Sequence, residues 1–167
     1  KGLKKEIKQD NTPVTNGDIE VNNLITSEIA KITPEIPIVS EETSANKSNE
    51  NLKNFWLIDP IDGTNDYIND KDEFTINAGL IINNRPEAGI IYAPAKKRLF
   101  YSYDQGKCFE ISDNKEKILD CKKLSKKGEI KAVSYSNELK PQIKSWHKKF
   151  NVTKHIKMKS SLKFCVI

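Results

Sequence analysis

Nine consecutive residues restrict this chain more than any others: Trp56-Leu57-Ile58-Asp59-Pro60-Ile61-Asp62-Gly63-Thr64. Residues 55–59 are an apolar run that predicts a buried strand, and Pro60 predicts its end, because proline brings no N–H to a sheet ladder. Two carboxylates three residues apart then leave through a proline-fixed turn, which can aim both at one spot. Anions held that close call for a cation. An all-oxygen donor set favours Mg²⁺. Gly63 and Thr64 follow at a predicted helix start, where backbone N–H groups make a seat for phosphate. Carboxylates beside a phosphate seat are reconciled by metal between them.

Other acidic residues can join this centre. Glu41 lies at the exit of a predicted short strand, residues 36–40, and can reach the same place, while Glu42 faces away or acts from behind it. Asp18 and Thr64 could orient or deprotonate a water. Simpler roles compete: Asp18 as a helix cap three residues after Thr15, Glu41-Glu42 as a solvated loop, and Asp59–Thr64 as an ordinary Asx turn. The spacing is Asp-x-x-Asp-Gly-Thr, with Pro60 where an Asp-x-Asp-Gly-Thr phosphatase would carry other chemistry. That excludes an aspartyl-phosphate mechanism of the haloacid-dehalogenase type and leaves direct attack by water.

Around the motif the pattern predicts a mixed α+β chain. Residues 3–8 read as an edge strand. A helix capped by Thr15 carries Ile19, Leu24, Ile25, Ile29 and Ile32 and ends at Pro34. Residues 43–54 read as a polar loop. Runs at 74–82, 88–94, 98–103 and 106–111 predict an antiparallel meander, and 131–136 one further strand. Residues 137–150 predict a helix with Leu139, Ile143, Trp146 and Phe150 on a core-facing side. The final SSLKFCVI reads as the first turns of an apolar helix, so a C-terminal truncation is expected; the absence of Met at position 1 leaves room for residues upstream.

The 167 residues suit one domain. No apolar run reaches eighteen residues, which rules out a helical membrane span, and residues 1–12 hold no secretory signal. Cys108, Cys121 and Cys165 form no zinc pattern with His147 and His155, which predicts reduced thiols and a cytoplasmic location. The net charge of +5 is unevenly spread: residues 35–73 are acidic, and the stretch from Lys140 onward holds eight Lys and no acid. A lysine-rich tail could attract polyanions, but it lacks the interleaved Arg and aromatics of a specific nucleic-acid binder.

Trp56-x-x-Asp59-Pro60-x-Asp62-Gly63-Thr64 resembles the central signature of the lithium-sensitive, magnesium-dependent phosphatases typified by inositol monophosphatase. Ser40-Glu41-Glu42 is similar to that family's upstream acidic motif, and Thr12-Pro13-Val14-Thr15-x-x-Asp18 to its N-terminal one. Asn11–Thr15, Glu73–Asn77, Tyr92-Ala93-Pro94 and Ser160–Cys165 lean towards the 3′(2′),5′-bisphosphate nucleotidase (CysQ-type) branch. The resemblance implies the N-terminal part of an inositol-monophosphatase-like layered αβαβα sandwich, with residues 1–167 an incomplete domain and the C-terminal half mostly missing. It implies that Glu41, Asp59 and the Ile61 carbonyl hold one Mg²⁺, that Asp59 and Asp62 hold a second, and that a third is possible, with lithium inhibiting. Thr64 and Asp18 would position the attacking water, with Glu41 a further catalytic group through its metal. The Gly63 and Thr64 amides would grip phosphate, and Ser160, Ser161 and Lys163 would touch a nucleotide.

The implied reaction is removal of the 3′-phosphate of adenosine 3′,5′-bisphosphate, or of its sulfated form, by metal-activated water, clearing a by-product of sulfate activation. The alternatives are an inositol monophosphatase and a shortened, non-catalytic remnant. The family's further metal-binding Asp, in a Trp-Asp motif, is not supplied here, since Trp56 precedes Leu57 and Trp146 precedes His147. A homodimer could cover a sheet face left open by the missing half.

Overall fold

The computed structural model describes residues 2–43, 51–104, 106–120 and 130–166. The N-terminal strands β1 (Lys5–Ile7) and β2 (Pro13–Thr15) form an antiparallel pair that leads directly into helix α1 (Asn16–Ile32). Thr15 caps that helix: its Oγ1 accepts from the Gly17 and Asp18 amides, and the Asp18 carboxylate accepts from Thr15 N at 2.8 Å. This reciprocal box satisfies amides that the first turn leaves orphaned, a stabilisation of about 1 kcal/mol.

The framework is one seven-stranded sheet, made of β3 (Ile38–Ser40), β4 (Phe55–Asp62), β5 (Thr75–Ile82), β6 (Arg85–Ala93), β7 (Arg98–Tyr103), β8 (Lys107–Ser112) and β9 (Lys115–Leu119), paired in that order. Every pairing is antiparallel except β3 with β4. The short helix α2 (Thr64–Ile68) follows β4. A second, parallel pair joins β10 (Ile130–Ser134) to β11 (Val152–Lys157), with helix α3 (Pro141–Lys149) between them. The mixed α+β class and the largely antiparallel sheet agree with expectation. Among the described residues, no helix is long and apolar enough to cross a membrane.

Several boundaries differ from the sequence-based expectation. β4 does not stop at Pro60 but runs on to Asp62, with a register break between Asp59 and Asp62 that absorbs the proline. β6 begins at Arg85 rather than residue 88. β9 and β11 were not expected; β9, KEKIL, is exposed along all but its last residue, and in β11, VTKHIK, three of six residues face solvent. Trp146 and Phe150 are exposed rather than in the core. Residues 161–164 form a single 3₁₀ turn, not the opening of an α-helix. The predicted polar loop and the Cys121 thiol fall partly or wholly outside the described residues, while Cys108 and Cys165 are free thiols.

Alternation along the strands sorts the sheet into two faces. On one, Ala93, Phe100 and Leu162 form the buried core, with Ile91 and Leu119 packed against it, so the 3₁₀ turn closes over that face. On the other, Ile58 is buried beside α1, whereas Ile90, Tyr103 and Ile118 are exposed around a stack of Tyr101, Tyr103 and Phe109.

Candidate metal-dependent active site

A chain of local constraints brings the acidic residues together. Asn22, buried on α1, accepts at its Oδ1 from Ser40 Oγ at 2.6 Å. Ser40 therefore faces α1, and strand alternation sends the next residue, Glu41, to the opposite face. Ser40 pairs with Ile58, and Glu41 N donates to the Ile58 carbonyl at 3.0 Å, which sets Glu41 alongside Asp59.

Asp62 reaches the same face through the register break. Asp59 opposes Asn77 and Asp62 opposes Thr75, so three steps along β4 match two along β5. In a regular strand, residues three apart point to opposite faces. The extra residue of a bulge cancels that difference and turns both carboxylates towards the side where Thr75 and Asn77 meet Ser161.

The resulting site is electrostatically unbalanced. Burial, the Glu41 charge and the Asp62 charge, in that order, push Asp59 up to about 7, and Asn77 opposes them with a hydrogen bond. Glu41 and Asp59 are close enough to share a hydrogen bond. Asp59 Oδ1 is buried without a hydrogen-bond partner. An orphaned buried carboxylate oxygen is costly in a protein interior, and a hard cation would satisfy it. The donors present thus suit Mg²⁺ in chemistry. Among the described residues, however, no group of three or more His, Cys, Asp or Glu side chains is gathered so as to hold an ion. Lys8 stands at the edge of the site: its ammonium donates to Glu41 Oε1 at 2.9 Å and to Glu42 Oε1 at 2.7 Å. Burial pulls the Lys8 ammonium down, and the hydrogen bonds to Glu42 and Glu41 outweigh it, leaving the group above the ordinary lysine value.

Asp18 and Thr64 are also joined. Thr64 Oγ1 lies 3.2 Å from Asp18 Oδ1 and 3.1 Å from the Ile61 carbonyl, so its single proton is shared between two acceptors. The other oxygen of Asp18 takes a 2.5 Å bond from Thr15 Oγ1. Asp18 therefore caps its helix and touches Thr64 at once; the two roles are compatible. Gly63 turns the chain between β4 and α2 with φ of 96°, and a Cβ there would stand 3.0 Å from the Glu73 carbonyl. Only glycine fits both demands.

The Ser160–Lys163 segment lies on the same side, with its polar groups engaged. Ser160 is buried, and its Oγ accepts from Leu162 N at 3.4 Å. Ser161 Oγ lies 2.6 Å from Asn77 Oδ1 and 2.8 Å from Thr75 Oγ1. Lys163 Nζ donates to the Ser160 carbonyl at 2.7 Å and sits over the Phe164 ring. Lys8 and Asn77 escaped the sequence reading. Asn77 is, with Thr75, one of two polar side chains inside the apolar run FTINAGLII, which was its available signal; Lys8 had none beyond its closeness to the Thr12–Asp18 motif.

Comparison with known proteins identifies the family and the fold. The whole chain, residues 1–167, matches the profile described as Inositol monophosphatase family. It is 36% identical to the 3′(2′),5′-bisphosphate nucleotidase CysQ of Buchnera aphidicola subsp. Acyrthosiphon pisum over 161 residues, which are 96% of this chain and 60% of that protein. The structure of CysQ from Bacteroides thetaiotaomicron superposes with a TM-score of 0.65 at 24% identity, covering 85% of this chain and 60% of that one. A structure described as an IMPase/NADP phosphatase complexed with Mg²⁺ and phosphate gives a TM-score of 0.70 at 20% identity, covering 95% and 59%. The chain spans about three fifths of the length of these relatives.

Proposed function

The chain belongs to the inositol monophosphatase family, and from that membership we propose that its acidic cluster serves a Mg²⁺-dependent phosphomonoesterase acting on the 3′-phosphate of adenosine 3′,5′-bisphosphate or its sulfated form. The observation that carries this reading is the buried, unpartnered Asp59 Oδ1 set between Glu41 and Asp62. The nucleotide preference rests on the bisphosphate nucleotidase relatives.

In this reading Glu41, Asp59, Asp62 and the Ile61 carbonyl hold the metal. Mg²⁺, as two or three ions, would polarise the phosphoester and the attacking water and stabilise the leaving oxygen. Asp18 and Thr64, already joined by a hydrogen bond, orient that water and accept its proton. The Gly63 and Thr64 amides seat the phosphate. Ser160, Ser161 and Lys163 border the nucleotide; without it Ser161 Oγ bonds to Thr75 and Asn77 and Lys163 Nζ to the Ser160 carbonyl. The free thiols Cys108 and Cys165 support a cytoplasmic place for the protein, and clearing a by-product of sulfate activation is the matching role. A homodimer burying the exposed Ile90, Tyr103 and Ile118 would complete the sheet's open face.

The test is release of inorganic phosphate from adenosine 3′,5′-bisphosphate and from inositol monophosphate, with Mg²⁺ and with EDTA. Turnover of the nucleotide should exceed that of the inositol ester. EDTA, lithium and Asp62→Ala should each suppress it. Turnover that survives Asp62→Ala contradicts the metal assignment, and preference for the inositol ester contradicts the substrate.

A further inference from the structure

Glu41 answers to two neighbours at once. One is Asp59, which lies close enough to share a hydrogen bond and whose carboxyl the Glu41 charge pushes up. The other is Lys8, whose ammonium also reaches Glu42. Lys8 differs from a solvated surface lysine. Its side chain is only 22% exposed, and that of Glu42 is 6% exposed. Its backbone is clamped in a tight turn between β1 and β2: Lys8 N donates to the Thr12 carbonyl at 2.8 Å, and the Lys8 carbonyl accepts from Asn11 N at 3.0 Å. Asn11 takes a left-handed φ of 64° to close the turn. Asp10 fixes its far side by accepting from Thr12 N at 3.0 Å and Thr12 Oγ1 at 2.6 Å. The turn therefore delivers one positive charge to the edge of the acidic cluster at a set position.

We propose that Lys8 is a tethered counter-ion that occupies one oxygen of the Glu41 carboxylate at the edge of the metal site until a divalent cation displaces it, with Glu42 retaining the ammonium afterwards. The inference rests on the metal reading above. Its physical basis is competition for one oxygen. Lys8 Nζ occupies Glu41 Oε1 at contact distance, and a monovalent ammonium within a few ångströms of a ligand both blocks it and repels an incoming cation. A divalent ion attracts the same carboxylate more strongly and can take it over. Glu42 is the better long-term holder of the lysine: its bond is shorter, and its side chain is the more buried of the two.

The test is divalent-ion binding, measured without substrate, by titration calorimetry with Mg²⁺ and by electron paramagnetic resonance with Mn²⁺. Lys8→Met should bind roughly tenfold more tightly than the wild type, because both the competitor and its repulsion are gone. Lys8→Arg should stay near the wild type. Equal or weaker binding by Lys8→Met would overturn the proposal and make Lys8 a brace that helps Glu41 to ligate. A wild type that binds neither ion would defeat the metal reading itself, and the proposal with it.

Lys8→Met leaves Glu42 buried without its cation, so a second measurement uses the unaltered protein. Amine acetylation read by mass spectrometry should mark Lys8 faster with Mg²⁺ present than with EDTA. Unchanged labelling of Lys8 in Mg²⁺ that the protein demonstrably binds would also overturn the proposal.

Discussion

Asp59→Asn should stabilise the metal-free protein at pH 8 and, in the same molecule, remove its response to Mg²⁺. The two effects have one origin. In the wild type the Asp59 carboxyl sits at about 7, against an ordinary value of 3.8, so between those values the folded state holds a proton that the unfolded chain has released. Stability then falls as pH rises. The favourable contribution is complete below 3.8 and lost by about 7. The neutral amide carries no such penalty, so the metal-free variant should show a flatter melting temperature across that window and a higher one at pH 8. It also withdraws a charged ligand, which should weaken Mg²⁺ binding by at least about 100-fold. Thermal melts with EDTA and with Mg²⁺ from pH 4 to 8 read both effects. A variant less stable than the wild type at pH 8 without metal would contradict the charge imbalance assigned to this site.

The second large effect lies beside the site. Asp66, on α2, is buried, with a side chain 4% exposed, and Lys159 Nζ donates to its Oδ1 at 2.6 Å. Lys71 stands at 4.0 Å from the same oxygen and is mostly exposed. Lys159→Met would leave a buried carboxylate with only that distant partner. Breaking a buried pair from one side costs about 3–5 kcal/mol, and because Lys159 is itself partly solvated the lower end, about 3 kcal/mol, is expected. Lys71→Met should cost under about 1 kcal/mol. The contrast is meaningful because Lys159 also ties β5's approach to the Ser160–Lys163 segment: its backbone N–H donates to Glu73 Oε2 at 3.0 Å. Urea denaturation of both variants decides the matter; equal losses would show that Asp66 does not depend on Lys159.

What could be read from the sequence follows from the range of each interaction. The Thr15–Asp18 capping box is legible because both partners lie within one turn of helix. The meander from β5 to β8 is legible because its strands are apolar and its turns carry Asn83-Asn84 and Pro94. The bulge at Asp59–Asp62 is not, since it exists only in the register between β4 and β5. A proline-fixed turn was the local explanation for two carboxylates meeting; the sheet reaches that end by adding a residue to a continuous strand. β9 went unseen because an exposed strand needs no apolar alternation, and β11 because its partly buried Val152, His155 and Ile156 do not alternate with its exposed residues. The Trp146 and Phe150 face looked like core because helical spacing reports an apolar stripe, not what lies opposite it. Lys8 was invisible for a related reason: its partners Glu41 and Glu42 are more than thirty residues away.

Carboxylates from β4 and from the end of β3 should take up a divalent ion. Crystals grown with Mn²⁺ and measured for anomalous scattering test it most directly. An anomalous peak is expected in contact with Asp59 Oδ1, with Glu41 and Asp62 turned towards it and Lys8 paired with Glu42 alone. A Mn²⁺-saturated crystal with no peak at Asp59, and Lys8 still bonded to Glu41, would contradict it.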